Sequence, residues 1–153
     1  MDMKRKKILV VSDELDMRIF LSNLLDAGGF KPTEAENGAE GLKMATAMKP
    51  ALIILDVMMS NKEGIQIYRN LKNDKTLKKI PVIMLSAIDR KTFFFYEKFK
   101  SIPSGAGVPE PEAYLEKPPE AEELMGIVQM LTKTVAEKNQ ESIKEESTKK
   151  ENI

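Results

Sequence analysis

Five short apolar runs, each followed by a segment of helical periodicity, constrain this chain more than any other feature of its sequence. The runs are Ile8–Val11, the weaker Phe30–Ala35, Ala51–Leu55, Pro81–Leu85 and Ala113–Leu115. The third and fourth, ALIIL and PVIML, are unbroken and rich in branched residues. Strands buried on both faces read this way, as in a parallel sheet covered by helices. Between them, Met17, Leu21, Leu24, Leu25 and Gly28 follow one helical face, with the tandem Gly28-Gly29 as its stop. Asn37-Gly38 opens a second helix through Leu42, Ala45 and Met48, closed by Pro50. A third runs from about Glu63 to Asn73, a fourth starts near a capping Asp89, and the last carries Leu124, Ile127, Val128, Leu131 and Val135. Such βα alternation predicts an α/β fold, a single (βα)5 doubly wound parallel sheet with right-handed crossovers.

The ordered domain is expected over residues 1–136. Residues 137–153, EKNQESIKEESTKKENI, hold only two large apolar side chains, Ile143 and Ile153, and are expected to fray or be disordered. Composition narrows the chemistry. The chain has no cysteine and no histidine, which excludes disulfides, thiolate zinc sites, cysteine nucleophiles and Ser-His-Asp triads. Lys+Arg and Asp+Glu both number 24, so no basic surplus argues for nucleic-acid binding. Behind the basic Lys4–Lys7 stand only four apolar residues, too few for a signal peptide, and no stretch reaches the length of a membrane span. A cytoplasmic protein bound to neither membrane nor nucleic acid is expected.

In an open parallel sheet, ligands bind outside the carboxyl ends of the strands. Ser12, Asp13 and Glu14 follow the first run, Asp56 the third, Ser86 and Ala87 the fourth, and Glu116 and Lys117 the fifth. Acids, a hydroxyl and a lysine are thus brought to one edge. Clustered carboxylates repel one another unless a cation sits between them, and oxygen-only ligands suit Mg2+. Lysine and serine suit phosphoryl oxygens. The edge is built to hold a phosphoryl group beside a metal, with one carboxylate as a candidate covalent acceptor.

ILVVSDE, LIILDVMMSNKEG, VIMLSA and YLEKP resemble, in order and place, the motifs of response-regulator receiver domains, the phosphoacceptor modules of two-component signalling. The match runs from about Lys7 to Val135. It implies a flavodoxin-like, CheY-like fold and a phosphoacceptor switch rather than an enzyme. Asp56 resembles the phosphoacceptor, served by a phosphohistidine on a sensor histidine kinase or phosphotransfer protein. Asp13 resembles the direct Mg2+ ligand, with Asp56 and the backbone carbonyl of Met58 completing the protein ligands and Glu14 as an accessory acid. Ser86 resembles the switch hydroxyl, Ala87 the small residue that leaves the acceptor open, Lys117 the phosphoryl-pairing lysine before an often cis Pro118, and Tyr114 the aromatic that repacks on activation. Output is then expected from a stand-alone receiver through an unknown downstream protein.

Departures from the pattern carry expectations of their own. Ser12 stands where the family usually has an acid, which removes one negative charge and should weaken Mg2+ binding. Ser60 replaces a usual proline. Met58 and Ile88 stand where some relatives have polar groups, which implies slow loss of the phosphoryl group. SIPSGAGVPEPE, residues 101–112, reads as a loop inserted before the fifth strand. Around the FFFY run, Phe95 and Phe99, four residues apart, are expected to pack on the sheet.

Each residue also has a plainer reading. Asp56 could be a solvated strand-end acid, Asp13 and Glu14 the cap and first-turn acids of a helix, Ser86 a turn residue, and the ten methionines core filler. A degenerate receiver that docks partners without phosphorylation is the main rival reading. An aspartyl-phosphate hydrolase of the haloacid-dehalogenase type fits poorly, because Met58 stands where its second acid is needed.

Overall fold

The computed structural model describes residues 5–57, 63–97, 109–134 and 137. The elements alternate in the order β1 (Lys7–Val11), α1 (Leu15–Ala27), β2 (Lys31–Ala35), α2 (Gly38–Met48), β3 (Leu52–Asp56), α3 (Glu63–Asn73), β4 (Val82–Ser86), α4 (Arg90–Glu97), β5 (Ala113–Glu116) and α5 (Ala121–Leu131). A 3-10 turn at Leu77–Lys79 joins α3 to β4. The strands form one parallel sheet in the order β2-β1-β3-β4-β5. This is the doubly wound, flavodoxin-like arrangement expected from the sequence.

The alternation of strand side chains sorts the core into two layers. Leu9, Val11, Ile53, Leu55, Val82 and Met84 point to the side on which Ala45, Ile67, Leu71 and Phe93 pack from α2, α3 and α4. Ile8, Val10, Leu52, Ile54, Ile83 and Leu85 point to the other, against Leu21 and Leu25 of α1 and Leu124 and Val128 of α5. All five residues of β3 and all five of β4 are buried, which is why those runs are unbroken. Burying each large aliphatic side chain is worth about 1.5–3 kcal/mol. The edge strands β2 and β5 are only partly covered, and Pro32 is tolerated in β2 because an edge strand leaves one row of backbone groups unpaired.

Local signals set the boundaries. Asn37 caps α2, its Oδ1 accepting from the Glu40 N–H at 2.9 Å, and Asp89 caps α4 by accepting from the Thr92 N–H at 3.0 Å. Gly29, with φ of 91°, takes the left-handed turn that ends α1. Lys49 takes a similar turn after α2 at φ of 45° without being glycine. At the far edge of the sheet from the carboxyl ends, Lys6 Nζ donates to Thr132 O at 2.7 Å and pairs with Glu137 at 2.9 Å, fastening the start of β1 to the end of α5.

One expectation shifts. β3 and β4 each extend one residue further, to Asp56 and Ser86, because the chain stays in the sheet through its first polar residue. In the aromatic run, Phe93 is buried against the sheet and Phe94 is half-buried beside Tyr114. The Phe95 side chain and Phe99 lie outside the described residues, as do Met58, Ser60, residues 101–108 of the insertion and all of the charged tail except Glu137.

Candidate functional site

The order of the sheet reverses between β1 and β3, and the site stands at that reversal. β1 delivers Ser12, Asp13 and Glu14; β3 delivers Asp56 as its last residue; β4 delivers Ser86; β5 delivers Lys117. Asp56 is 1% exposed and both of its oxygens are engaged. Oδ1 pairs with Lys117 Nζ at 2.7 Å, and Oδ2 accepts from the Ser12 hydroxyl at 2.8 Å. Lys117 also reaches Glu14 at 3.2 Å. The peptide bond from Lys117 to Pro118 is cis, as the resemblance implied. The Lys117 N–H donates to Ser86 O at 2.8 Å, tying β5's exit to β4.

One carboxylate oxygen each from Asp13, Glu14 and Asp56 lies within 4.8 Å of the other two. Lys117 offsets one of these negative charges, so the group keeps a negative surplus at its open edge, where Asp13 and Glu14 are exposed. Hard oxygen donors of this number and charge fit a divalent cation such as Mg2+, which holds one or two carboxylates and keeps waters. Of the expected ligands, the Met58 carbonyl lies outside the described residues.

The electrostatics follow from the packing. Burial pulls the Lys117 ammonium's pKa down, but the hydrogen bond and charge of Asp56, joined by those of Glu14, pull harder and hold it above the ordinary lysine value. Burial also raises the Tyr114 phenol above its ordinary value, with the Ser86 hydroxyl opposing. Tyr114 donates to Ile88 O at 2.6 Å, and its ring lies 5.3 Å from Phe93 and 5.4 Å from Phe94. Ser86, fully buried, accepts from the Ile88 N–H at 3.1 Å. Ser86 and Tyr114 therefore hold the same turn from two sides. Glu14 stands at the N-cap of α1 without capping it through its side chain, so the plain helix-capping role does not account for it.

Sequence reasoning missed Arg18 and the bond made by Ser12. Arg18 is 7% exposed; Nη1 donates to Ser12 O at 2.7 Å, and the guanidinium pairs with Glu34 at 3.2 Å and Glu36 at 3.6 Å. It occupies the inward stripe with Leu21 and Leu25, and a lone arginine on that stripe was the available signal. The inserted segment is anchored at its C-terminal end. Tyr68 donates to Pro109 O, and Glu112 pairs with the buried Lys72 at 2.9 Å while accepting from the Val82 N–H at 2.7 Å.

With this geometry in place, comparison with known proteins is specific. The family model described as "Response regulator receiver domain" matches residues 8–129. The chain is 35% identical over 113 residues to the alkaline phosphatase synthesis transcriptional regulatory protein PhoP of Bacillus subtilis, covering 74% of this chain and 42% of that one. It is 34% identical over 87 residues to the polar-differentiation response regulator DivK of Brucella anthropi, covering 56% of this chain and 70% of that one. The chemotaxis protein CheY4 of Vibrio cholerae superposes with a TM-score of 0.68 at 25% identity, over 83% of this chain and 98% of that one. The chain spans about half the length of the curated transcriptional regulators it matches. Among the described residues, no helix is long and apolar enough to cross a membrane.

Proposed function

The chain belongs to the response-regulator receiver family of two-component signalling, and from that premise we propose that it is a phosphorylation switch with Asp56 as acceptor. Receiver domains are signalling switches, phosphorylated by histidine kinases and acting on downstream targets. The observation that carries the proposal is the buried Asp56–Lys117 pair at 2.7 Å beside the Asp13–Glu14–Asp56 cluster.

Asp13 and Asp56 would hold Mg2+, with Glu14 as the accessory acid and Met58 supplying its carbonyl. When bound, the ion supplies neutralising charge for the transferring phosphoryl group. An oxygen of Asp56 attacks the phosphorus of a phosphohistidine, the P–N bond breaks and the imidazole leaves, giving an acyl phosphate. Lys117 passes from the Asp56 carboxylate to a phosphoryl oxygen. Ser86, which carries the single hydroxyl of β4, turns to donate to another. Releasing Ser86 from the Ile88 turn frees Tyr114, which bonds to the same residue, and the face formed by α4, β5 and α5 changes its population of states. A downstream protein reads that face. Residues 1–136 form the receiver, and the protein works in the cytoplasm.

Incubation with Mg2+ and a small acyl-phosphate donor tests this by intact mass. One phosphoryl group is expected on the protein, absent in Asp56→Asn and absent when the metal is chelated. No mass gain in the native chain favours a docking module that works without phosphorylation.

A further inference from the structure

We propose that Ser12 is a positioning residue that latches Asp56 in the resting state, and that its hydroxyl releases the carboxylate when a divalent cation is bound. The inference deepens the reading of Asp56 as acceptor and cation ligand, and rests on it.

The latch is built from both sides. Ser12 is fully buried, so its hydroxyl has no solvent to turn to. Its Oγ accepts from the Glu14 N–H at 3.1 Å, which leaves its single proton for Asp56 Oδ2 at 2.8 Å. Arg18 pins the Ser12 carbonyl at 2.7 Å, so the backbone beneath the hydroxyl is held as well. Oδ1 pairs with Lys117, and Oδ2 is the oxygen bonded to the residue that follows β1. Asp13 and Glu14 stand in the same segment, one carboxylate oxygen of each lying within 4.8 Å of one oxygen of Asp56, so a cation gathered there competes with Ser12 for that carboxylate.

An ionised acid at position 12 would add attraction for the cation and donate nothing to Asp56. Serine does the opposite on both counts. A bond present in the metal-free state and released in the bound state stabilises the former and weakens uptake by the same factor. Removing it should therefore tighten binding.

The experiment compares native protein, Ser12→Ala and Ser12→Asp by calorimetric Mg2+ titration and by thermal unfolding with and without saturating Mg2+. Ser12→Ala is expected to bind Mg2+ about three- to tenfold more tightly. It should melt about 2–6 °C below the native protein without metal, with the gap closing at saturation. Ser12→Asp should bind more tightly still. A melting gap of equal size in both conditions, or unchanged or weaker Mg2+ binding by Ser12→Ala, means that Ser12 is only structural and overturns the proposal. The phosphotransfer reading fails separately, if the native chain gains no phosphoryl mass while these metal-binding shifts stand.

Discussion

Gly64 permits the approach of α3 to the end of β3, and replacing it by alanine tests how firmly Asp56 is held. A Cβ at position 64 would lie 2.3 Å from Val57 Cα and 2.7 Å from its carbonyl carbon and oxygen, where ordinary contact begins at 3.4 Å. All three are backbone atoms, so no side-chain rotation relieves the overlap; α3 or the end of β3 must move by about 1 Å. Overpacking of this kind costs about 1–3 kcal/mol, and rigid neighbours place it at the upper end. Alanine in place of glycine in a helix returns about 0.5–1 kcal/mol. The net loss is about 2 kcal/mol, or a fall in Tm of about 4–8 °C for a chain of this size. Gly126, in α5, supplies the internal control, because a Cβ there meets nothing within 4 Å. Gly126→Ala should raise stability by about 0.5–1 kcal/mol. Val57 directly follows Asp56 and donates its N–H to Leu85 O at 3.0 Å, so the displacement reaches Asp56. Phosphorylation of folded Gly64→Ala should be slower by about tenfold or more. Thermal unfolding and intact mass against time measure both effects. If Gly64→Ala melts at or above the native temperature, as Gly126→Ala should, the close approach of α3 to Val57 is wrong.

Three further outcomes are expected. The Lys117 ammonium is held above the ordinary value of 10.5 in the fold, so its stabilising contribution is complete below that pH and is lost as pH rises through the folded value. The stability gap between native protein and Lys117→Met in urea titrations should be constant from neutral pH to about 10 and narrow above it; a gap that narrows toward acid pH instead would point to a different group. Glu112→Ala strips the carboxylate from Lys72, whose side chain is 3% exposed, and from the Val82 N–H, and should cost about 3 kcal/mol; an unchanged urea midpoint would contradict that anchoring. Lys49→Gly relieves a left-handed residue at φ of 45° and should gain about 1 kcal/mol, read as a higher Tm.

The ladder of strands and helices was legible because β3 and β4 are covered on both faces and must be apolar throughout, and the site because its residues are those that interrupt the runs. Asp56 and Ser86 could be placed as the first polar residues beyond their runs and Lys117 as the second beyond its own, since a parallel sheet brings those ends to one edge. The bond from Ser12 to Asp56 was not legible: a serine after a strand has many partners to choose from, and 44 residues separate these two. Nor was the burial of Arg18 and Lys72, because charged side chains are rarely buried; their partners, Glu34 and Glu112, come from other parts of the chain. The inward turn of Phe93 was not legible either, because the start of α4, set by the Asp89 cap, decides which positions of the aromatic run meet the sheet.

The clasp of Lys6 on Thr132 brings both ends of the described fold to the rim opposite Asp56. A polypeptide with that geometry can be spliced to others on either side without crowding the carboxylate edge. A dye fixed on that rim would leave the approach to Asp56 clear.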